Sequence, residues 1–220
     1  MNGILTVIHK EWRCFLGSDR GIFFVYGLLI VSWSIMMATG NGSDITTTGP
    51  IWIVFFSVVI SANFSNTVFI SERTNGILEI LITSGLARRD ILYGKMIFVI
   101  GMSTVTGMIC LAFSPLWELV IPTETELAVN ADSLLLYTSA VFMNAGNSAY
   151  LSIRMGNPRL LHIANILILA FITGLHSFAA IHTALSPVLL PFVLALLGAV
   201  STVMARRLFE SEKILQPVIL

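Results

Sequence analysis

The chain alternates long apolar stretches with short polar connections. Apolar runs occupy Gly21 to Thr39, Pro50 to Ile70, Met96 to Ile121, Ser133 to Ile153, Leu160 to His182 and Pro187 to Ala205. Each comes near the ~20 residues that a helix needs to cross about 30 Å of hydrocarbon, where a helix satisfies its own backbone. The pattern predicts an all-α membrane protein with six transmembrane helices. Ahead of the first run, Ile4, Leu5, Ile8, Trp12 and Phe15 recur at helical spacing, with His9, Lys10 and Arg13 turned away. Residues 2–17 are therefore expected to form an amphipathic helix lying in the membrane interface.

The connection SERTNGILEILITSGLARRDILYGK, Ser71 to Lys95, has helical periodicity of its own. Glu72, Asn75, Gly76, Glu79 and Thr83 share one face, and Ile77, Leu78, Leu81 and Ile82 form the other. The expectation is a short helix over 72–83 parallel to the membrane, a break at Ser84-Gly85, and then Arg88, Arg89 and Asp90 leading into the third crossing. Gly76 within an acidic stripe offers another protein a flat, close approach.

The basic residues sort the connections. Lys10, Arg13 and Arg20 precede the first run; Arg73, Arg88, Arg89 and Lys95 lie between the second and third; Arg154 and Arg159 between the fourth and fifth; Arg206, Arg207 and Lys213 after the sixth. The intervening connections hold none of the 12 lysines and arginines, while Asp44, Glu118, Glu124, Glu126 and Asp132 lie there. Basic residues stay in the cytoplasm when short loops are threaded through a membrane, so both termini are expected inside.

Composition agrees. The chain has 220 residues, 56% of them hydrophobic and 11% charged, with a mean hydropathy of +0.89; a soluble domain is about 25% charged. The whole of 1–220 reads as one transmembrane domain. The first run is longer than the h-region of a cleaved signal peptide, about 7–15 residues, and is expected to stay as an anchor. A formal net charge of zero gives no basic field for nucleic acid. Cys14 and Cys110 read as packing residues.

Polar groups inside the runs are the candidates for a pathway. The second run carries Ser61, Asn63, Ser65 and Asn66; the fourth Asn144, Asn147 and Ser148; the fifth His162, Asn165 and Thr173. Interhelical hydrogen bonds account for most such groups. Asn63, Ser65, Asn66, Asn144 and Asn147 together also suit the lining of a substrate path. No Asp, Glu, Lys or Arg falls deep inside a run, unlike the relays of a proton-driven pump. His176 and His182 are six residues apart, about 600° around a helix, so a joint metal site there would require a break in the helix.

No catalytic constellation is present. The chain lacks G-x-x-x-x-G-K-[ST], H-E-x-x-H and C-x-x-C. It reads as a non-enzyme without a nucleotide site or a cofactor of its own, so any ATP that drives it must be hydrolysed by another chain.

The stretch ERTNGILEILITSGLARRDILYGKM, Glu72 to Met96, resembles the signature segment of type-2 ABC exporter permeases, an E-R-x-x-G-x-L-E-x-L run ending in G-K. Arg207-Leu208-Phe209-Glu210 resembles that family's inner-face ending. Gly49-Pro50-Ile51-Trp52 and Ser114-Pro115-Leu116 are similar to segments of the haem-exporter B subunit. The resemblance implies a multi-pass permease of a prokaryotic inner membrane that pairs with a second permease copy as a homodimer or with a related permease. It further implies a separate ABC ATPase subunit that binds ATP and Mg²⁺ and couples through Glu72, Asn75, Gly76 and Glu79 of the 72–83 helix together with Arg88 and Arg89 after the break. The cargo is left open among lipid, haem, peptide, drug and glycan. A break over Gly174 to Ser186 would supply the family's re-entrant helix. The alternative reading is a membrane scaffold or assembly subunit that recruits an ATPase without carrying cargo.

Overall fold

The computed structural model describes residues 3–17, 20–39, 49–72, 75–120, 131–154, 160, 163–168, 170–172, 174 and 189–210. Among them the protein is all-helical, with no strand. The helices are α1 Gly3–Leu16, α2 Arg20–Thr39, α3 Gly49–Ser65, α4 Ile77–Thr83, α5 Arg88–Glu118, α6 Ala131–Arg154 and α7 Leu189–Glu210. A π-helical turn, Asn66–Ser71, continues α3. Residues 163–168 and 170–172 are also helical.

Three described helices, Ile53–Ser71, Arg88–Phe113 and Leu189–Glu210, are long and apolar enough to cross a membrane, which marks this as a membrane protein. Their apolar exposure fits that setting. Ile97, Val105 and Met108 on α5 and Phe192, Leu196, Val200 and Val203 on α7 face outward, where a soluble protein would place polar groups.

Side-chain pairings fix the helix directions. Tyr26 stacks on Phe64 and Trp33 packs on Phe56, so α2 and α3 are antiparallel. Phe56 meets Tyr137 and Ser61 meets Asn144, so α3 and α6 run the same way. The Tyr137 hydroxyl donates to Ser103 O at 2.7 Å, while Lys95 lies against Val68, so α5 runs opposite to both. Gly146 abuts Gly198 and Asn147 bonds Ser201, so α6 and α7 are parallel. Two parallel neighbours in sequence require the chain to run back between Arg154 and Leu189. The Ile163–Ile172 segment lies in that interval, with Asn165 donating to Ser148.

These directions gather every described Lys and Arg at one end of the bundle. There Arg88 Nη1 donates to Glu210 O at 2.9 Å, tying the start of α5 to the end of α7. The core is apolar, built on Phe56, Ile60, Phe64, Ile91, Leu92 and Val99, with a second cluster around Val54, Val58, Met143 and Leu194.

The structure differs from the sequence pattern in three places. The helix expected over 72–83 is divided: Glu72 ends the preceding helix, Asn75 and Gly76 turn, and α4 starts at Ile77. Gly76 has φ 71, a left-handed conformation that interrupts the ladder and that glycine adopts without penalty. The apolar stripe of α1 is also split. Val7 and Glu11 are buried against the bundle, whereas Leu5, Trp12 and Leu16 are exposed on another face. Lys10, expected to turn away, points inward to Glu72. Helix α5 begins at Arg88, after the turn at Ser84-Gly85, as the sequence pattern leads one to expect.

Candidate functional site

The basic end contains a buried group of four charges. Lys95 follows Gly94, and the glycine decides the geometry: a Cβ there would lie 2.7 Å from Val7 Cβ and 3.1 Å from Ile4 O. Its absence lets α1 cross α5 closely, which sets Glu11 beside Lys95. Lys95 Nζ donates to Glu11 Oε1 at 2.9 Å, to Val68 O at 2.8 Å, and to Glu72 Oε2. All three ammonium donors are thus used, and Lys95 is fully buried. Glu72 Oε1 accepts from Lys10, and Lys10 also reaches Glu11 at 3.1 Å.

Two lysines and two carboxylates close on each other with no net charge. Desolvation of a buried ion is costly, and only complete pairing of this kind compensates it. Burial pushes the Lys10 ammonium below its ordinary pKa, the charge of Lys95 acts in the same direction, and Glu11 opposes both. The group joins α1, the end of the π turn and α5 into one mechanical unit. Sequence reading missed it because the partners stand 62, 84 and 23 residues apart. The only local signal was an acid, Glu11, placed within the apolar periodicity of α1.

From this base α4 projects between two left-handed glycines, Gly76 at φ 71 and Gly85 at φ 80. Leu78 is buried and Leu81 and Ile82 are half-buried, which holds the helix to the bundle. The opposite face shows Ile77, Glu79, Ile80 and Thr83, with Ile80 67% exposed.

Of the residues assigned to an ATPase contact, the structure places Glu79 on this open face and Asn75 at its edge, the Asn75 amide donating to Ser71 Oγ at 3.3 Å. Glu72 lies in the buried group, Gly76 forms the turn, and Arg88 ties α5 to α7. Arg89 is exposed, 3.8 Å from Asp90.

The pathway candidates are divided as well. Asn144 Nδ2 donates to Ser61 Oγ, joining α6 to α3, and Asn147 Oδ1 accepts from Ser201, joining α6 to α7. Asn63 donates to Val59 O at 3.0 Å within its own helix. Ser65 is buried, and Asn66 begins the π turn. Asn147 and Ser201 also form the polar floor of a cavity of about 530 Å³, whose walls are Met143, Leu167, Phe171 and Leu197. His176, His182 and most of Gly174 to Ser186 lie outside the described residues. Among the described residues no group of His, Cys, Asp and Glu could hold a metal ion.

Comparison with known proteins adds no relative: no family model, no curated protein and no solved structure matches this chain.

Proposed function

We propose that this protein is the membrane-spanning permease subunit of an ATP-binding-cassette exporter. In this reading it crosses a prokaryotic inner membrane six times, with its basic end and both termini in the cytoplasm. It pairs with a second permease and is driven by a separate ATPase that holds ATP and Mg²⁺. The observation that carries the reading is the mounting of α4, which exposes Glu79 and Ile80 at the basic end while its root is anchored through Glu72 to Lys10 and Lys95. In this reading Ile80, 67% exposed, and Glu79 beside it offer the ATPase an apolar contact flanked by a charge. The anchored root gives a push on that surface a route into α1 and α5.

Glu79 and Ile80 are thus the contact residues and Glu72 the transmitting one. The parallel pairing of α6 with α7 favours the sixfold threading, because it demands an extra pass between them.

The test is the double variant Glu79→Lys with Ile80→Asp, co-expressed and purified with each candidate ABC ATPase subunit of the same cell. Both changes lie on an exposed face, so insertion and thermal stability should be retained. Co-purification of the ATPase and ATP-dependent export from proteoliposomes should be lost. Unchanged co-purification and export would remove α4 from the coupling role. Binding of the ATPase by the unaltered chain with no movement of any lipid, haem or peptide tested would assign it to a scaffold.

A further inference from the structure

The cavity floored by Asn147 and Ser201 lies at membrane depth. Helix α6 ends at Arg154, with Asn147 seven residues and Met143 eleven residues inside that end. In α7, Leu197 stands nine residues inside Arg206. At about 1.5 Å per residue these steps come to roughly 10–16 Å, well within a hydrocarbon core about 30 Å thick.

One side of the cavity faces out of the bundle. Leu167 and Phe171 line it and are 63% and 73% exposed, and Leu196 and Val200, next in α7 to the lining residues Leu197 and Ser201, are exposed as well. In a membrane protein such side chains meet acyl chains, so the space is entered from hydrocarbon. Its interior suits that guest. Six of its eight lining residues are apolar, and the two polar ones are bonded to each other, Ser201 Oγ donating to Asn147 Oδ1. The volume of about 530 Å³ falls in the range of ligand pockets, about 300–1,000 Å³. At about 30 Å³ for each water-sized group it admits roughly 18 of them, the scale of one acyl chain.

A cation stands in line with this space. Met143, Asn147, Tyr150 and Arg154 follow one another at i, i+4, i+7 and i+11 on α6 and share one face. The Arg154 guanidinium lies over the Tyr150 ring, 5.2 Å from its centroid, which turns it back along the helix toward the cavity. Among the described residues the ion pairs take Lys10, Arg89, Lys95 and Arg206 and leave Arg154 without a carboxylate. The step from Asn147 to Arg154 is about 10 Å along the axis. A phospholipid presents the matching sequence from the interface inward, an anionic phosphate and then an apolar chain.

We propose that this face of α6, with α7 and the Ile163–Ile172 segment, binds one phospholipid of the leaflet on the basic side. An acyl chain enters the cavity and the phosphate pairs with Arg154. The lipid then fills the gap between α6, α7 and the returning segment and holds all three to the membrane surface through one cation. The proposal rests on the membrane setting alone; it holds for an exporter and a scaffold alike, and its test needs no ATPase.

The test uses the full chain in nanodiscs doped with phosphatidylglycerol that carries a photoreactive diazirine midway along one acyl chain, with adducts located by mass spectrometry. Met143 lines the cavity and is 1% exposed, so a chain reaches it only from within that space. Adducts on Met143 and Leu197 are expected. A diacylglycerol with the same labelled chain and no phosphate should label Met143 about fivefold less, the factor one arginine supplies near an anionic headgroup, and Arg154→Gln should remove the difference. Leu197→Trp, which places an indole in the space, should lower Met143 labelling by both lipids and leave Leu196 labelled. Adducts confined to outward residues such as Leu196 and Val200 would overturn the site. Equal labelling of Met143 by the two lipids would overturn it too, since the phosphate would then have no part. Labelling of Met143 by a water-soluble diazirine would replace the lipid site by a hydrated path. The comparison of the two lipids is made on the unaltered chain and decides the matter even if a variant does not fold.

Discussion

Gly198 rests directly on the backbone of Met143: a Cβ built on it would lie 2.9 Å from Met143 Cα and 3.0 Å from Met143 N. The reciprocal approach is as close, since a Cβ on Gly146 would lie 2.8 Å from Gly198 O. Small residues let helix backbones meet in this way, and inside a bilayer such packing supplies much of the association energy. Backbone atoms cannot rotate aside, so Gly198→Ala should separate α6 from α7 at a cost of about 1–3 kcal/mol. Thermal unfolding in detergent should show it as a lowered Tm. Gly101→Ala is the matched control: nothing lies within 4 Å of its Cβ position, and the change should leave Tm level or raise it.

The buried charges predict a rescue. Lys95→Met keeps the apolar stem but leaves the carboxylates of Glu11 and Glu72 in excess, and removing one partner of a buried ion pair costs about 3–5 kcal/mol. Adding Glu72→Gln restores a neutral group. Most of the loss should return, as measured by denaturant titration of the purified variants. If the double variant is no better than the single, the four charges do not act as one group.

Helix α4 should be sensitive to its flanks even where space is free. No atom lies within 4 Å of a Cβ on Gly76 or Gly85, yet both have positive φ. Alanine in that conformation costs about 1–2 kcal/mol, and asparagine less. Gly76→Ala and Gly85→Ala should each lower stability by about that amount and Gly76→Asn by less. Equal effects of alanine and asparagine would show that backbone strain is not the cause.

At the end away from the basic residues, Trp117 Nε1 donates to Ser34 Oγ at 2.8 Å and joins α5 to α2. Ser34→Ala removes the acceptor from a half-buried indole, at a cost of about 1 kcal/mol. The tryptophan emission should shift, and a Trp117→Phe background should abolish that shift. A shift that persists in that background would point to Trp12, Trp33 or Trp52 instead.

Much of this architecture could be read from apolar periodicity. The runs at Gly21 to Thr39, Pro50 to Ile70 and Ser133 to Ile153 fall within one or two residues of α2, of α3 with its π turn, and of α6. Periodicity reports which residues avoid water, and α2, α3 and α6 are defined by that alone. It is blind to the conformation of Gly76, because a left-handed turn depends on φ and leaves the hydrophobic pattern intact. It misjudged Lys10 and Glu72 for a different reason. A charge near the end of an apolar run looks solvated until tertiary structure brings a counter-charge from far along the chain, as α1 does here. The asparagines were noticed as a set, but their division into Ser61, Ser148 and Ser201 partnerships depends on helix order, which no single segment encodes.

The position of Lys95 bears on how the protein is made. A lysine at the border of an apolar run is costly to bury unless its counter-ions are already waiting. Both of them, Glu11 and Glu72, precede it in the chain and so leave the ribosome first. If packing follows synthesis, α1 and the segment ending at Glu72 would be in place to receive the third long helix as it arrives. Moving the carboxylates behind the lysine, as a circular permutation would, should make the same fold harder to assemble without changing any contact in the finished molecule.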